Sequence, residues 1–374
     1  MTTTVMLNHE QDEIRGVARS FLQARFPSDR IRELMATEDG FEQSSWEEIA
    51  DLGWVGIALP EEQGGAGYTI VERCLLLEEM GRVLFPDPFL SSAVLAGDAV
   101  AIAADAEAGA ESLAKIVDGS TRATLVAAGD LLSGPDPAGA VNAAEGDGGY
   151  ALSGSGGLVF DGASAELLIV VATLADGGLG LFAVDPAASG VERTAAATVD
   201  ETRKTAVVEF DGAAAERLDA GDDTAAKVAQ VLDRGAISLA AEMVGGAQQA
   251  IEMTITYMNE RQQFGRPIGT FQALKHRLAD LFVAIDAARE AVYSAADTVA
   301  SGQLDRVPMA AAAAKQAVSE GYTLTAAEAI QLHGGIGFTE EHDIGLYYKR
   351  AVVGAATLGT PLAHLERIAA GLNV

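Results

Sequence analysis

Arg261 lies in the segment whose residue types and spacing are best suited to chemistry, MNERQQFGRPIGTFQALKHRLADL at 258–281. The pattern predicts a helix that ends near Arg261, a turn around Gly265, and a second helix that begins at Thr270. The start of a helix has unpaired N–H groups, and Arg261 adds a guanidinium beside them. This combination suits a phosphate or pyrophosphate group. An ordinary helical hairpin with a surface arginine fits the same residues.

A second Gly-rich turn lies in QLHGGIGFTEEHDIGLYYKRA, at 331–351. Gly334, Gly335 and Gly337 follow a long predicted helix and allow another molecule to approach the backbone closely. Many turns of this kind only end a helix, so the motif alone does not define a site. It differs from the dinucleotide-binding motif, in which the glycines follow a β-strand.

The other reactive residue types are scattered along the chain. The five histidines and the single cysteine, Cys74, show no metal-ligand spacing, so no metal site is predicted. The sequence has no Gly-x-Ser-x-Gly segment of the kind that carries a nucleophilic serine. His333 precedes Gly334, and we expect it to pack or hydrogen-bond locally.

Composition indicates a globular protein of more than one domain. The chain has 374 residues, more than one compact core usually holds, and 49% of them are hydrophobic. Its net charge of −29 argues against nucleic-acid binding, which needs clustered Lys and Arg. We expect no membrane partner, because no apolar run is long enough for a bilayer and the N-terminus lacks a signal-peptide pattern. A single cysteine fits a reduced, cytoplasmic setting.

Three regions with different residue patterns must position the two turns. Residues 1–118 show helical periodicity, whereas residues 119–222 contain short alternating runs separated by turn residues, which predicts a small antiparallel β domain. Residues 223–374 are helical again, with Ala-rich stripes typical of a bundle. In the first region, Ser44 or Ser45 is predicted to cap the helix that follows. The predicted fold class is mixed α and β, in the order helical, β, helical.

The two turns and this domain order resemble the acyl-CoA dehydrogenase family over nearly the whole chain. The segment LGWVGIALPEEQGGAGYTIVERCLLLEEMGR at 52–82 is similar to that family's N-terminal loop and helix. The resemblance implies an N-terminal helical domain, a middle β domain, a C-terminal four-helix bundle, FAD as cofactor, an acyl-CoA thioester as substrate, and a dimer or tetramer. It also implies that certain residues reach the FAD of a neighbouring subunit: Arg261, Phe264, Gln272, Gln331, Gly334 and Gly335.

The reaction of this family, α,β-dehydrogenation, needs a carboxylate that removes the α proton of the thioester. Its usual position, in a Glu-Gly-Thr turn, reads Leu358-Gly359-Thr360 here, and the alternative position on an earlier helix is Gly235. Neither leucine nor glycine can accept a proton. Glu242 is the remaining candidate base, although it lies about 10 Å beyond Gly235 along the predicted helix. Thr360 is a candidate for contact with a flavin phosphate.

The β domain also departs from the family's flavin-contacting segments. A Thr-Glu-Pro-x-Ala-Gly-Ser-Asp segment corresponds to GDLLSGPDPAGAVNA at 129–143, in which little more than Pro-Ala-Gly is retained. An aromatic-x-Thr/Ser segment, which touches the flavin ring, corresponds to Leu158-Val159-Phe160 and has lost its hydroxyl. A chain that retained its own flavin pocket would be expected to keep these contacts.

The missing groups belong to a subunit's own site, whereas the retained groups serve a neighbour. This asymmetry predicts a non-catalytic subunit that completes the FAD site of a catalytic acyl-CoA dehydrogenase chain, with acyl-CoA bound mainly by that partner. The arrangement resembles actinobacterial heteromeric enzymes, which are α2β2 tetramers acting on steroid side-chain CoA thioesters. Two other hypotheses stay open: a self-sufficient enzyme with Glu242 as its base, and a scaffold that binds acyl-CoA or a partner without any oxidation.

Overall fold

The structure, a computed structural model, describes residues 7–127, 141–146, 149–219, 221 and 223–372. The first region is helical. Its elements are α1 (His9–Arg25), α2 (Ser28–Met35), α3 (Gln43–Asp51), α4 (Ile70–Arg82), a π-helical segment (Phe89–Ala96), α5 (Gly97–Ala103) and α6 (Ala106–Val117).

The start of α3 differs from the prediction. The residue before the helix is Glu42, and no side chain caps the helix. Ser45 lies in the first turn, where its hydroxyl is 2.7 Å from both the Glu42 carbonyl and the Asp87 carboxylate. A tertiary contact with Asp87 therefore takes the place of the local cap predicted for Ser44 or Ser45.

The middle region is a β-sheet that follows α6. Its strands are β1 (Ala123–Val126), β2 (Val141–Gly146), β3 (Gly149–Phe160), β4 (Leu167–Thr173), β5 (Leu179–Val184), β6 (Val191–Ala196) and β7 (Thr205–Arg217). The pairings β4-β2-β3-β7-β5 close on themselves, because β5 also pairs with β4. β1 joins the edge of β4, and β6 joins β7.

Two pairings in this sheet depart from the predicted antiparallel arrangement. β1 runs parallel to β4, from Ala123 opposite Leu167 onward, and β2 meets β4 in parallel at Asn142 opposite Thr173. Alternating residues and turn residues predict hairpins between consecutive strands. They carry no information on pairing between strands that are distant in the sequence, so these contacts were not predictable from the pattern.

The C-terminal region is a bundle built around one long helix. Its helices are α7 (Thr224–Glu260), α8 (Gln272–Ala300), α9 (Val307–His333), α10 (Ile344–Ala356) and α11 (Pro361–Leu372). A short hairpin, β8 (Gln262–Gln263) and β9 (Arg266–Pro267), lies between α7 and α8. The order of helical, β and helical regions confirms the predicted fold class. The domain boundaries after residues 118 and 222 stay predictions.

Helices α4 and α7 approach each other unusually closely. A Cβ atom added to Gly81 of α4 would overlap the carbonyl oxygen of Glu242, and one added to Gly245 of α7 would overlap that of Glu78. These reciprocal glycines allow the two backbones to touch, which fixes α7 against the N-terminal helices. Since α7 carries Gly235 in its first half and ends next to Arg261, this contact positions both parts of the candidate site.

Within the described ranges, no helix is long and apolar enough to cross a membrane. The same ranges contain no cluster of three or more His, Cys, Asp or Glu side chains suited to hold a metal ion.

Candidate functional site

The turn between α7 and α8 is a tight hairpin that points away from the bundle. The Arg261 N–H donates to the Tyr257 carbonyl at 2.8 Å and ends α7. Phe264 and Gly265 form the two-residue loop, with φ of 53° and 77°. Positive φ at both central residues is typical of a type I′ turn. A 3-10 turn, Ile268–Thr270, separates the hairpin from α8, which therefore begins two residues later than predicted.

The predicted cofactor residues of this turn are directed to solvent. The Phe264 side chain is 90% exposed, and Arg261 and Gln272 are also exposed. In the described part of the chain, no carboxylate pairs with the Arg261 guanidinium. No side chain caps the N-terminus of α8, where Gln272 lies. The turn thus offers a free cation and a helix N-terminus, both of which suit a phosphate group, together with an exposed aromatic ring.

The second Gly-rich turn follows the end of α9. Gly334 has a φ of 66°, and a Cβ atom added to Gly334 or Gly335 would meet nothing within 4 Å. Gly337 differs, because a Cβ there would lie 2.6 Å from the Ile330 carbonyl oxygen. Gly337 therefore serves the chain's own packing, whereas Gly334 and Gly335 leave open space for another molecule. Gln331, in the last turn of α9, is exposed beside them.

One aromatic contact places the two turns at the same end of the bundle. The rings of Tyr257, near the end of α7, and His333, at the end of α9, are stacked with centroids 4.6 Å apart. His333 is buried, and its Nδ1 lies 2.7 Å from the Ala329 carbonyl oxygen. Burial lowers the pKa of His333, which favours the neutral ring. The contact with Tyr257 was not predictable from the sequence, since the two residues are far apart in the chain.

Thr360 does not lie with these residues. Its hydroxyl accepts from the Ala363 N–H at 3.2 Å at the start of α11. The neighbouring Gly359 carbonyl oxygen lies 3.4 Å from the Lys315 ammonium in α9. Lys315 and the end of α9 at His333 are separated by about 27 Å of helix. Within one chain, Thr360 is therefore remote from the two turns and has a local role as a helix cap.

The two predicted base positions do lie together. A Cβ atom added to Gly235 would be 3.4 Å from Leu358 Cδ1 and 2.6 Å from Leu95 Cδ2. Leu358 is 2% exposed and has a φ of 54°, and Leu95, from the π-helical segment, is fully buried. Apolar side chains thus fill the space in which a carboxylate would lie. No sequence pattern pointed to Leu95.

Glu242 is committed to a buried ion network. Its two carboxylate oxygens lie 2.6 Å from the Arg203 guanidinium and 2.5 Å from that of Arg350. Burial alone would raise its pKa, but the two arginine charges hold the pKa of Glu242 below its ordinary value. A general base in this reaction needs the opposite shift, toward the working pH, and a free lone pair. These contacts argue against Glu242 as the base.

The same network connects the β region to the bundle. Arg350 of α10 also lies 2.6 Å from Asp200, which precedes β7, and it donates to the Thr202 hydroxyl at 2.5 Å. The two arginines, Glu242 and Asp200 balance in charge. Sequence reasoning did not find this cluster, because its members come from distant segments and show no motif.

The place that corresponds to the flavin-contacting strand is largely filled. Phe160, at the end of β3, is 3% exposed, and the Arg203 guanidinium carbon lies 5.2 Å from its ring centroid. The cavity beside it measures about 230 Å³, below the roughly 300–1,000 Å³ typical of small-molecule sites. Its lining is Leu158, Phe160, Thr198, Val199, Thr205, Val352, Val353 and Ala356. Most of the predicted flavin loop at 129–143, namely residues 129–140, lies outside the described residues.

A buried lysine lies behind the Leu358 turn. The Lys315 ammonium contacts only neutral oxygens in the described ranges: the Ser319 hydroxyl at 3.0 Å and the carbonyls of Ala355 and Gly359 at 3.4 Å. Burial lowers the pKa of Lys315 to about 7. Burial and the Lys315 charge also lower the pKa of His364 to about 4. This turn is therefore held by Lys315, which has no carboxylate partner among the described residues. Burying its charge is costly at neutral pH.

Replacing Lys315 with methionine is expected to stabilise the chain at pH 7. Between pH 7 and about 10, the unfolded chain binds a proton at Lys315 that the folded chain does not, so stability rises with pH over that range. Lys315→Met should remove this rise and add a few kcal/mol at pH 7, on the order expected for a shift of this size. Urea unfolding between pH 6.5 and 10 measures both effects. Lys115→Met, at an exposed site, should leave the profile unchanged, and an unchanged profile for Lys315→Met would contradict the assignment.

Comparison with known proteins identifies the class. The family model for the acyl-CoA dehydrogenase N-terminal domain matches residues 8–120, and the model for the acyl-CoA dehydrogenase C-terminal domain matches residues 224–373. The chain is 32% identical over 360 residues to the acyl-CoA dehydrogenase IpdE2 of Mycobacterium tuberculosis, with 96% of each chain covered. This protein belongs to the acyl-CoA dehydrogenase family.

Two solved structures are similar over almost the whole chain. A variant of the steroid ACAD Tcur3481-Tcur3483 has a TM-score of 0.87 at 34% identity, covering 98% of this chain and 99% of that chain. A chain of the ChsE4-ChsE5 complex from Mycobacterium tuberculosis has a TM-score of 0.87 at 29% identity, covering 98% of both. The first protein carries a two-part name, and the second is named as a complex of two components.

FAD is the cofactor of this family. The described residues fit it better at the two exposed turns than at the interior position beside Phe160. The two exposed turns have the free cation and the open glycines that a dinucleotide phosphate requires. The interior position beside Phe160 has a small apolar cavity, and the nearby base position holds Leu358 and Leu95. The chain is therefore better suited to contact FAD from outside than to enclose its ring.

Proposed function

We propose that this chain is the non-catalytic subunit of a heteromeric, FAD-dependent acyl-CoA dehydrogenase and completes the cofactor site of a catalytic partner. The observation that carries the proposal is the contrast between two places. Arg261 and Gly335 are exposed at one end of the bundle, whereas the base position at Leu358 is buried and apolar.

In the assembly, this chain's contribution is to bind and orient. Arg261, Gln272 and the backbone at Gly334 and Gly335 would hold the phosphate and adenosine portions of a FAD whose ring lies in the partner. Phe264 would cover the cofactor from the side of this chain. Bound FAD supplies the hydride acceptor of the family's α,β-dehydrogenation. The proton acceptor and most contacts with acyl-CoA come from the partner.

The names of the similar proteins support the partner and the substrate class. One similar structure is named as a steroid ACAD and the other as a two-component complex. We propose a catalytic acyl-CoA dehydrogenase chain as the partner, in an α2β2 assembly, and the CoA thioester of a steroid side chain as the substrate. We also propose a cytoplasmic location, where CoA thioesters are made and used.

Replacing Arg261 tests this function directly. In the complex purified with its catalytic partner, Arg261→Ala is expected to weaken FAD binding roughly ten- to hundred-fold, because a charged hydrogen bond is lost. Arg261→Lys should restore only part of it, since lysine keeps the charge but not the planar fork. Titration of the apo-complex with FAD, followed by flavin fluorescence, gives the dissociation constants.

The matched control is Arg306→Ala, an exposed arginine at the opposite end of α9. Its FAD affinity should stay within about twofold of the original, a range equivalent to less than 0.5 kcal/mol. If Arg261→Ala also left FAD affinity and turnover unchanged, the chain would be a scaffold without a role at the cofactor.

A further inference from the structure

The hairpin that presents Arg261 and Phe264 has little backbone support of its own. Two residue pairs join its strands, Gln262 with Pro267 and Gln263 with Arg266, and one further backbone bond, from the Ile268 N–H to the Arg261 carbonyl at 2.8 Å, closes its base. Phe264 has a positive φ, which a residue with a side chain adopts at a cost. A two-stranded hairpin this short is not stable in water by itself. Side-chain contacts must therefore add to the support of the loop.

A stack of three side chains lies at the tip of this hairpin. The Arg266 guanidinium carbon lies 4.2 Å from the centroid of the Phe271 ring. The Phe264 ring meets the same Phe271 ring edge-on, with centroids 6.0 Å apart and an angle of 89°. In the described ranges, Arg266 has no carboxylate partner, so its ring contact is not a by-product of an ion pair.

Phe271 is the fixed member of the stack. It is the residue before α8 and is half-buried, and its carbonyl oxygen accepts from the N–H groups of Leu274 and Lys275 at 3.2 Å. Arg266 and Phe264 are exposed and rest against it from the hairpin. The stack therefore ties the exposed end of the turn to the first turn of a long helix.

We propose that Arg266 and Phe271 are positioning residues that hold the Arg261–Phe264 turn in its binding shape before FAD and the partner subunit arrive. The expected effect on FAD binding rests on the proposed function. The stack of Phe264, Arg266 and Phe271, called the brace below, is a property of the free chain. With the turn preformed, binding does not have to order it, and FAD affinity is higher. Loss of the brace should leave the bundle folded and open the turn.

Limited digestion with trypsin tests the brace in the free chain. The bond after Arg261 is cleavable only when the hairpin opens, and the bond after Arg266 resists trypsin because Pro267 follows. Arg266→Gln and Phe271→Ala are each expected to speed cleavage after Arg261 by roughly three- to tenfold, the effect of losing a cation–π or aromatic contact. Phe271→Tyr, which keeps the ring, should restore the original rate. Leu304→Ala, exposed at the far end of the bundle, is the control.

The same variants are then titrated with FAD in the complex. The proposal predicts weaker FAD binding for Arg266→Gln and Phe271→Ala, by a factor similar to the change in cleavage, and rescue by Phe271→Tyr. An unchanged cleavage rate in both variants would overturn the brace. Faster cleavage with unchanged FAD affinity, in a complex that responds to Arg261→Ala, would overturn the positioning role alone. If Arg261→Ala had no effect either, the proposed function would fail, while the cleavage rates would still decide the brace.

Discussion

Arg350→Met is expected to lower the free energy of unfolding by about 3–5 kcal/mol, the usual cost of removing one partner from a buried ion pair. Arg350 lies between Asp200 and Glu242, at 2.6 and 2.5 Å, and all three side chains are buried. In the variant, Glu242 keeps its contact with Arg203, whereas Asp200 loses its arginine partner. Because the network joins the β region to α7 and α10, its loss should also loosen the two regions from each other. Urea unfolding, followed by circular dichroism, measures the change.

Lys349→Met provides the matched control, since it is adjacent in sequence and also removes one positive charge. Lys349 is partly exposed, and its ammonium lies 3.9 Å from Glu201, so we expect a change below about 0.5 kcal/mol. Equal effects of the two substitutions would show that the network contributes nothing beyond net charge. The structural role assigned to Glu242 would then lose its support.

Gly245→Ala is the second substitution with a large expected effect. The added Cβ would overlap the Glu78 carbonyl oxygen, and a backbone atom cannot move aside without separating α4 from α7. Gly81 makes the reciprocal contact, so the helices have no second way to pack at this distance. We expect a loss of about 3 kcal/mol or more, at the upper end of the range for overpacked cores. The midpoint of thermal or urea unfolding gives the value.

Gly16→Ala is the control for this prediction. Gly16 lies within α1, is exposed, and has nothing within 4 Å of an added Cβ. Alanine there should stabilise the chain by roughly 0.5–1 kcal/mol, because glycine has more conformational freedom to lose on folding. A Gly245→Ala protein as stable as the original would mean that α4 and α7 do not approach as closely as described.

The parts of the site that are encoded locally could be predicted from the sequence. The end of α7 at Arg261 and the glycine turn at Gly334 follow from residue types within a few positions of each other. The resemblance to a family also indicated that Leu358 and Gly235 stand at base positions, and the structure places them side by side.

The parts that depend on contacts between distant segments could not be predicted. Leu95, from the N-terminal region, fills the base position. The Glu242 carboxylate pairs with Arg203, which lies just before β7, and with Arg350 of α10. Nearly all residues of helix α4 are buried, because both α1 and α7 pack against it. The periodicity of one segment does not predict which residues of a distant segment pack against it.

The central claim, that this chain serves a partner's FAD and has no catalytic site of its own, is tested most directly by counting flavins. The chain is purified alone and together with a catalytic acyl-CoA dehydrogenase partner, and the FAD bound per polypeptide is measured by absorbance after release. The account predicts a colourless, inactive chain alone, and an active complex that holds fewer flavins than polypeptides. A yellow protein that oxidises an acyl-CoA thioester from this chain alone would contradict it.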